Sequence, residues 1–361
     1  MRILVTGGAG FVGSNLIRKL LVGGHRVLNI DKLTYAGNRA TIQDLEENQA
    51  HRLVVGDVCE QSLLERCFDE FKPHTVIHLA AESHVDRSIL APSNFINSNI
   101  LGTYAILQSA LAYWRKCDSS IHHSFRFLHV STDEVYGTLG PSGSFVEDSR
   151  YDPRSPYSSS KAAADHLVRA WWHTYKLPVI VASSCNNYGP FQHPEKLVPT
   201  IILRALCNAP IPIYGKGEQV RSWIHVSDHC QALQQILEFG VLGETYNISA
   251  ESELSNLDMA QRVCGLLDSI QRMRELKDDH QPVLQDSFKS WKKLGTYSKL
   301  ISFVDDRPGH DFRYSLDSSK LRSTLDWKPM VSLNSGLHET VMWYIRNQDW
   351  WESVKKRTQA Q

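Results

Sequence analysis

Two side chains four residues apart, Tyr157 and Lys161, stand in a run of helical pattern and so project from one face. A phenol left to itself titrates near ~10 and is a poor base at neutral pH. A lysine ammonium beside it, with a cationic hydride acceptor in front, stabilises the phenolate and lowers that value. Such a pair takes the proton of a substrate alcohol while hydride leaves the same carbon. Tyr-x-x-x-Lys also arises by chance in many helices, so its weight depends on its surroundings. Upstream, Phe127-Leu128-His129-Val130-Ser131 reads as a buried strand that breaks into Thr132, Asp133, Glu134 and a turn ending at Gly137. Polar groups at a strand end of an open α/β sheet sit where ligands bind. Alone, an acidic turn after a strand is ordinary loop composition.

The elements that must position these groups begin at the N-terminus. Arg2 to Thr6 is a short β-rich run, Gly7-Gly8-Ala9-Gly10-Phe11-Val12-Gly13 follows it, and Ser14 to Val22 is helical in pattern. Glycines in that context let the backbone turn tightly and approach a pyrophosphate, which then faces a helix N-terminus. A second strand, Arg26 to Ile30, ends at Asp31, placed to accept hydrogen bonds from ribose hydroxyls and to repel a 2′-phosphate. NAD is therefore expected over NADP, although Lys32 adjoins the carboxylate. Gly7, Gly10, Phe11, Val12 and Gly13, then Asp31, Lys32 and Thr34, form the expected cofactor contacts of the first two strand ends. Asp57 and Val58 follow the third strand and Leu79, Ala80 and Ala81 the fourth, Asp57 near the adenine and the alanines allowing close approach.

The alternation continues with a strand at 52–55, a helix at 61–71, a strand at 75–79, a long helix at 92–116 and strands at 125–131 and 179–182 around a helix at 155–175. Persistent strand–helix alternation predicts an α/β fold with a doubly wound parallel sheet of Rossmann type. Beyond Ser184 the elements shorten and prolines punctuate the chain, predicting a smaller mixed α/β C-terminal lobe. Helices are expected at 204–208, 231–239, 257–268, 317–325 and 333–344, and strands at 219–225 and 245–248; residues 272–305 give no clear pattern. The division expected is residues 1–183 for the cofactor and catalytic groups and 184–361 for substrate, partly interleaved. The apolar stripe Ala164, Leu167, Val168, Trp171 and Trp172 is more than one sheet face usually needs; it is either core or a subunit contact, and a homodimer through helices 92–116 and 155–175 is the expectation.

Bulk properties exclude several classes. Lys+Arg and Asp+Glu are both 39, so no net field favours nucleic acid or an anionic membrane. Seven scattered cysteines without a Cys-x-x-Cys pair point to reduced thiols and a cytoplasmic setting. A strand starting at Arg2 leaves no room for a signal peptide, and no apolar run has the length of a membrane span. The sixteen histidines fall into no metal-ligand spacing, and His122-His123 reads as a solvated pair in a polar loop.

Gly-x-x-Gly-x-x-Gly at 7–13, the strand-end Thr132 and Tyr157-x-x-x-Lys161 resemble the extended short-chain dehydrogenase/reductase family, whose members mostly act on nucleotide sugars. Longer phrases resemble the dehydratases of that family: Asp31 to Asn38, Ala81 to Ser88, Ser131 to Gly137, Asn186 to Pro190, Pro194 to Leu197 and Asp306 to Asp311. The resemblance implies an NAD-dependent lyase acting on dTDP-glucose. C4 is oxidised, water is eliminated across C5 and C6, and hydride returns to C6. By the same resemblance Tyr157 is the base at O4 with Lys161 beside it, Thr132 orients O4, Glu134 removes the C5 proton and Asp133 protonates the leaving hydroxyl. Adjacent carboxylates in different environments can hold the two protonation states this needs.

Ser83 is implied near the sugar and the cofactor, Asn186 near the sugar, Asn187 on the nicotinamide side, and Lys196, Arg221, Arg307 and His310 at the diphosphate. Leu197, Pro212, Tyr214 and Asn256 border the rest of the nucleotide. Ser184-Cys185 and Ser222 depart from the family's usual Cys-Ser and Asp. A related epimerase or decarboxylase, a dehydratase of another nucleotide hexose, and an inactive binding protein of the same fold stay open. The acidic pair separates the first of these, since a simple C4 epimerase needs no C5 base or C6 acid.

Overall fold

A computed structural model describes residues 1–276 and 295–360. In chain order the first half runs β1 (Arg2–Thr6), α1 (Phe11–Val22), β2 (Arg26–Asp31), β3 (His51–Val55), α2 (Gln61–Phe71), β4 (Thr75–His78), α3 (Val85–Leu90), α4 (Pro92–Phe95), α5 (Gly102–Trp114), α6 (Ser119–Ser124), β5 (Arg126–Thr132), α7 (Pro156–Tyr175) and β6 (Val179–Ser184). The second half runs β7 (Asn186–Tyr188), α8 (Leu197–Leu206), β8 (Ile211–Tyr214), β9 (Val220–His225), α9 (Val226–Phe239), β10 (Thr245–Ile248), β11 (Ser252–Ser255), α10 (Asn256–Leu276), β12 (Ile301–Val304), α11 (Ser319–Leu325), α12 (Leu333–Arg346) and α13 (Gln348–Ala360).

Seven parallel strands form the main sheet in the order β10-β6-β5-β4-β1-β2-β3. The order reverses between β1 and β4, and a doubly wound sheet opens its ligand crevice there, at the strands' carboxyl ends. Ile3, Ile17, Ile77, Leu128, Ile180 and Leu233 pack one face, while Leu4, Phe68, Val76, Ile106, Phe127 and Val168 pack the other. A burial of both faces explains why β1, β4 and β6 read as unbroken apolar runs. A third core, with Ile202, Trp223, Met259, Leu267, Val341 and Trp351, holds the C-terminal lobe. There β9 pairs with β7 and β11, and β8 with β12. The chain crosses back once, since β10 is the edge strand beside β6 and α9 packs on α1.

The expected helix at 92–116 is three pieces. Pro92 does open it, at a position where no amide donor is required. Between α4 and α5, Ile96–Leu101 widens into π-type turns. Asn99 is the physical reason, because its side chain accepts from the Glu82 N–H at 2.8 Å and donates to the Glu82 carbonyl at 3.0 Å and to Ser160 Oγ at 2.8 Å. The helix at 155–175 starts as expected, Ser155 and Ser158 capping each other's backbone N–H in a reciprocal box.

Other expectations shift. The helix at 204–208 is α8, which begins at Leu197; Pro199 sits in its first turn and does not break it. The helix at 231–239 begins at Val226, where His225 caps the Ser227 N–H. His122 and His123 lie in α6, not in a loop, with His122 stacked on Trp114 at 4.4 Å between ring centroids. The short β7 and β8, the short α3 and the final α13 were not expected, and α12 is therefore not the last helix. The part of 272–305 at 277–294 lies outside the described residues.

Candidate active site

The turn after β1 is built for close approach. Gly7 has φ +74°, and a Cβ there would lie 2.7 Å from the Ala80 nitrogen; one on Gly13 would lie 2.3 Å from the Gly7 carbonyl oxygen. Only glycine permits both the left-handed turn and the tight packing of α1 on β1. Asp31, buried at the end of β2, accepts the Ala9 and Leu33 N–H groups, each at 2.8 Å. Burial holds its carboxyl above the ordinary value, opposed by those two donors and by the Arg357 charge. Lys32 pairs with Asp57 at 2.5 Å, and Asp57 also accepts the Cys59 N–H at 3.0 Å.

One cleft runs from this turn across the carboxyl ends of β1, β4 and β5. Its wall includes Gly7, Gly10, Phe11, Val12, Gly13, Asp31, Lys32, Thr34, Asp57, Val58, Leu79, Ala80, Ala81, Ser83 and Asn187, every residue expected at the cofactor. Thr132, Asp133, Glu134, Tyr157 and Lys161 line its other end together with Asn186 and Lys196. The glycine cradle and the buried strand-end carboxylate fit a dinucleotide, with room only for backbone against Gly7 and Gly13.

At the chemical end, Thr132 is the hub. Its hydroxyl donates to Asp133 Oδ1 at 3.2 Å and accepts the Glu134 N–H at 3.3 Å, and it opposes the upward shift of the Tyr157 phenol. Asp133 is almost fully buried, and its Oδ2 has no protein partner. Burial first, then the Glu134 charge, pushes its carboxyl up to about 8. Glu134 is also raised by burial but faces the opposing charges of Arg307, Arg221 and Lys196.

In the chain by itself, burial and then the Glu134 charge raise the Tyr157 phenol above its ordinary value. Lys161 donates to the Val130 carbonyl at 2.8 Å. Its burial brings the ammonium down to about 8, and Asp165 opposes that fall.

Asp165 went unnoticed in the sequence, although it continues the four-residue step Tyr157, Lys161, Asp165 along α7. Fully buried, it accepts Ser131 Oγ at 2.7 Å and Tyr151 Oη at 2.9 Å and meets His129 Nε2 at 3.1 Å. Glu82, Gln192, His193, Glu195 and His229 also line the cleft without having been expected.

The expected nucleotide contacts divide. Lys196 is in the cleft, donating to the Ser83 carbonyl at 2.8 Å, and Leu197 opens α8 beside it. Pro212, Tyr214, Arg221, Asn256, Arg307 and His310 do not line the wall itself, although Arg307 and Arg221 are near enough for their charges to act on Glu134. Arg307 reaches Asp86 at 3.4 Å, Tyr214 donates to Asp86 at 3.0 Å, and His310 bonds Asp306 at 2.6 Å. Pro212 shares the strand β8 with Tyr214, and the Asn256 N–H donates at 2.9 Å to Gln219, which in turn holds Asp306.

Two of these groups differ from free cations. Arg221 is buried over Tyr314, 4.2 Å from the ring centre, and spends its Nη donors on the carbonyls of Val220, Phe312 and Asp311. His310 is lowered to about 4 by burial and by Arg307, so it is a neutral hydrogen-bonding ring at pH 7. Among the described residues no cluster of three His, Cys, Asp or Glu could hold a metal ion.

The family model for GDP-mannose 4,6 dehydratase matches residues 4–340. The chain belongs to this family. It is 46% identical over 355 residues to the dTDP-glucose 4,6-dehydratase of Neisseria meningitidis, covering 98% of this chain and 96% of that one. With dTDP-glucose 4,6-dehydratase 1 of Escherichia coli it is 45% identical over 365 residues, again with 98% and 96% covered. The solved dTDP-glucose 4,6-dehydratase of Streptomyces venezuelae, with NAD and dTDP bound, superposes at TM-score 0.84 and 40% identity over 98% of this chain and all of that one. A UDP-glucose 4-epimerase from Thermus thermophilus, solved with NAD, is more distant at 26% identity and TM-score 0.79, covering 96% and 99%. The family membership bears out the extended short-chain dehydrogenase/reductase resemblance and its dehydratase branch.

Proposed function

We propose that this chain is an NAD-dependent hydro-lyase that converts dTDP-glucose to dTDP-4-keto-6-deoxyglucose. The observation that carries the reading is the Asp133-Glu134 pair at the end of β5, in one cleft with Thr132, Tyr157 and Lys161. A redox site alone needs the last three; the two carboxylates add an acid and a base for elimination. The relatives named for this reaction, and the neighbour holding NAD and dTDP, support the same substrate and cofactor.

The glycine turn at 7–13 and Asp31 would hold NAD, which would supply the hydride acceptor for C4 of the hexose and the hydride donor for C6. Tyr157 takes the O4 proton, and Thr132, which lines the same end of the cleft, aligns that hydroxyl. Oxidation acidifies the C5 proton, which Glu134 removes and gives back to C5 when hydride reaches C6; Arg307, Arg221 and Lys196 oppose the rise that burial gives its carboxyl. Asp133 holds a proton at pH 7 and delivers it to the departing C6 hydroxyl. Asp31, with both oxygens facing donors, disfavours a 2′-phosphate and favours NAD. Lys196 and Arg307 offer the diphosphate its charge-assisted bonds, with Ser83 and Asn186 toward the sugar.

In this reading residues 1–183 hold cofactor and catalytic groups, and 184–361 mainly hold the nucleotide sugar. A homodimer is part of it, supported by the exposed Ile96, Leu101 and Tyr104 on the 92–114 helical run and Tyr175 on α7. Cytoplasmic residence is part of it too, supported by seven free thiols; among the described residues no helix is long and apolar enough to cross a membrane.

The test is incubation of the purified chain with dTDP-glucose, followed by mass spectrometry. Loss of one water is expected. An isomer of unchanged mass would indicate epimerase chemistry, and no turnover on nucleotide sugars with NAD supplied would end both enzyme readings.

A further inference from the structure

The C-terminal helix α13 belongs to the substrate lobe by its packing, with Trp351 buried in that lobe's core and Trp350 packed against it. Its polar groups point elsewhere. The Arg357 guanidinium donates to the Leu33 carbonyl, Trp350 Nε1 donates to Thr41 Oγ1 at 3.2 Å, and Thr358 Oγ1 shares a hydrogen bond of 3.2 Å with His193 Nε2. Leu33 and Thr41 bound the segment that follows Asp31, and that segment covers the glycine turn: the Asn38 N–H donates to the Ala9 carbonyl, and a Cβ on Gly37 would fall 2.4 Å from Asp31 Oδ1.

Leu33 is the informative residue. It is held at φ +54°, a left-handed conformation that a leucine adopts only when its surroundings impose it. Its N–H donates to Asp31 Oδ1 at 2.8 Å while its carbonyl accepts Arg357, so both ends of one strained residue are fixed. Release of the carbonyl lets Leu33 relax, and the donor that orients Asp31 moves with it. The Arg357 charge also acts directly on Asp31.

We infer that α13, through Arg357 and Trp350, is a strap that fixes the 33–41 segment over the adenosine side of the cleft and thereby sets how tightly NAD is retained. These are positioning residues, acting through Leu33, Asp31 and Thr41. The strap lies beyond residue 340, where the family match ends. The inference rests on the NAD reading above and extends it to residues of the other lobe.

The test measures equilibrium binding of NAD to the cofactor-stripped full chain, with thermal melting as the control for folding. Arg357→Ala is expected to weaken NAD binding by about ten-fold, the loss of one charge-assisted hydrogen bond. Arg357→Lys, which keeps the charge and one donor, is expected to recover part of that loss. Trp350→Phe keeps the packed ring, removes only the donor to Thr41, and is expected to weaken binding about two- to five-fold. Wild-type NAD affinity in a folded Arg357→Ala variant overturns the strap. Should that variant melt early, wild-type affinity in Trp350→Phe overturns it equally. A wild-type chain that binds no NAD overturns the cofactor reading and the strap with it, an outcome distinct from variant and wild type binding alike.

Discussion

Asp133 and Glu134 are neighbours in sequence but meet different fields: Glu134 faces Arg307, Arg221 and Lys196, while the first charge acting on Asp133 is Glu134 itself. Burial raises both carboxyls. The cations counter it chiefly at Glu134, and the Glu134 charge adds to it at Asp133. Asp133, pushed up to about 8, thus stands beside a carboxyl whose upward shift is opposed by three cations, an asymmetry of the kind that separates an acid from a base in an elimination.

Asp133→Asn is therefore expected to keep cofactor reduction and lose water elimination, slowing product formation by about 10²- to 10⁴-fold. Single-turnover absorbance should show reduced cofactor accumulating with dTDP-glucose. In the wild-type enzyme, the elimination step should decline as pH rises through about 8, where Asp133 gives up its proton. Stability follows the same sign. The folded value lies above the ordinary 3.8, so this group's contribution is complete below that value and is lost as pH rises toward about 8. Denaturant unfolding of wild type and Asp133→Asn across pH 5–9 checks it, with a shallower slope expected in the variant.

Glu134→Gln should separate the steps in a different way. The amide keeps the side chain's shape but cannot take the C5 proton, so partial cofactor reduction is expected without dehydration. Exchange of the C5 hydrogen with deuterated water should cease as well. Full dehydration, or exchange at the wild-type rate, would remove Glu134 from its role.

Much of this site was legible in the sequence because its parts sit at element ends with strong local signatures. The glycines need a left-handed turn and close packing, Asp31 ends an apolar strand, and Tyr157 and Lys161 share a helix face; each reads locally. The π-type turns at Ile96–Leu101 were not legible, since they arise from Asn99 bonding to Glu82 and Ser160, which approach it only in the folded chain. Arg221 looked like a free phosphate ligand for the same reason. Its acceptors at Val220, Phe312 and Asp311 come together only when β9 packs beside residues 311–314. The prolines of the second lobe misled in part, Pro199 sitting inside a helix and Pro212 inside a short strand.

Asp165 supplies a stability prediction. Asp165→Ala leaves His129 and Lys161 buried without their carboxylate and removes the acceptor of Ser131 and Tyr151. Breaking a buried charged network in this way typically costs about 3–5 kcal/mol. Asp165→Asn, which keeps the shape and an acceptor, should cost less. It should also lower Lys161 below about 8, because Asp165 is the group that opposes the burial penalty on that ammonium. Loss of activity at a lower pH in Asp165→Asn than in wild type, beside denaturant midpoints for both variants, checks the pair of claims.

Gly7→Ala tests the cradle with the smallest possible change. The added methyl would meet the Leu79–Ala80 backbone at 2.7–2.9 Å, and φ +74° is unfavourable for alanine by about 1–2 kcal/mol even in open space. Backbone on both sides leaves no flexible side chain to give way, so β1 and β4 must shift apart at their carboxyl ends. That edge is where the pyrophosphate would lie. The expected result is a folded protein of lower melting temperature whose NAD affinity falls by more than about ten-fold. Gly24→Ala is the control: it has nearly the same φ, +75°, but its Cβ would meet nothing within 4 Å. It should lose stability through backbone strain and leave NAD binding unchanged. Equal NAD affinity in Gly7→Ala and Gly24→Ala would show that the strained turn, and not the approach of Gly7 to Ala80, is all the glycine provides.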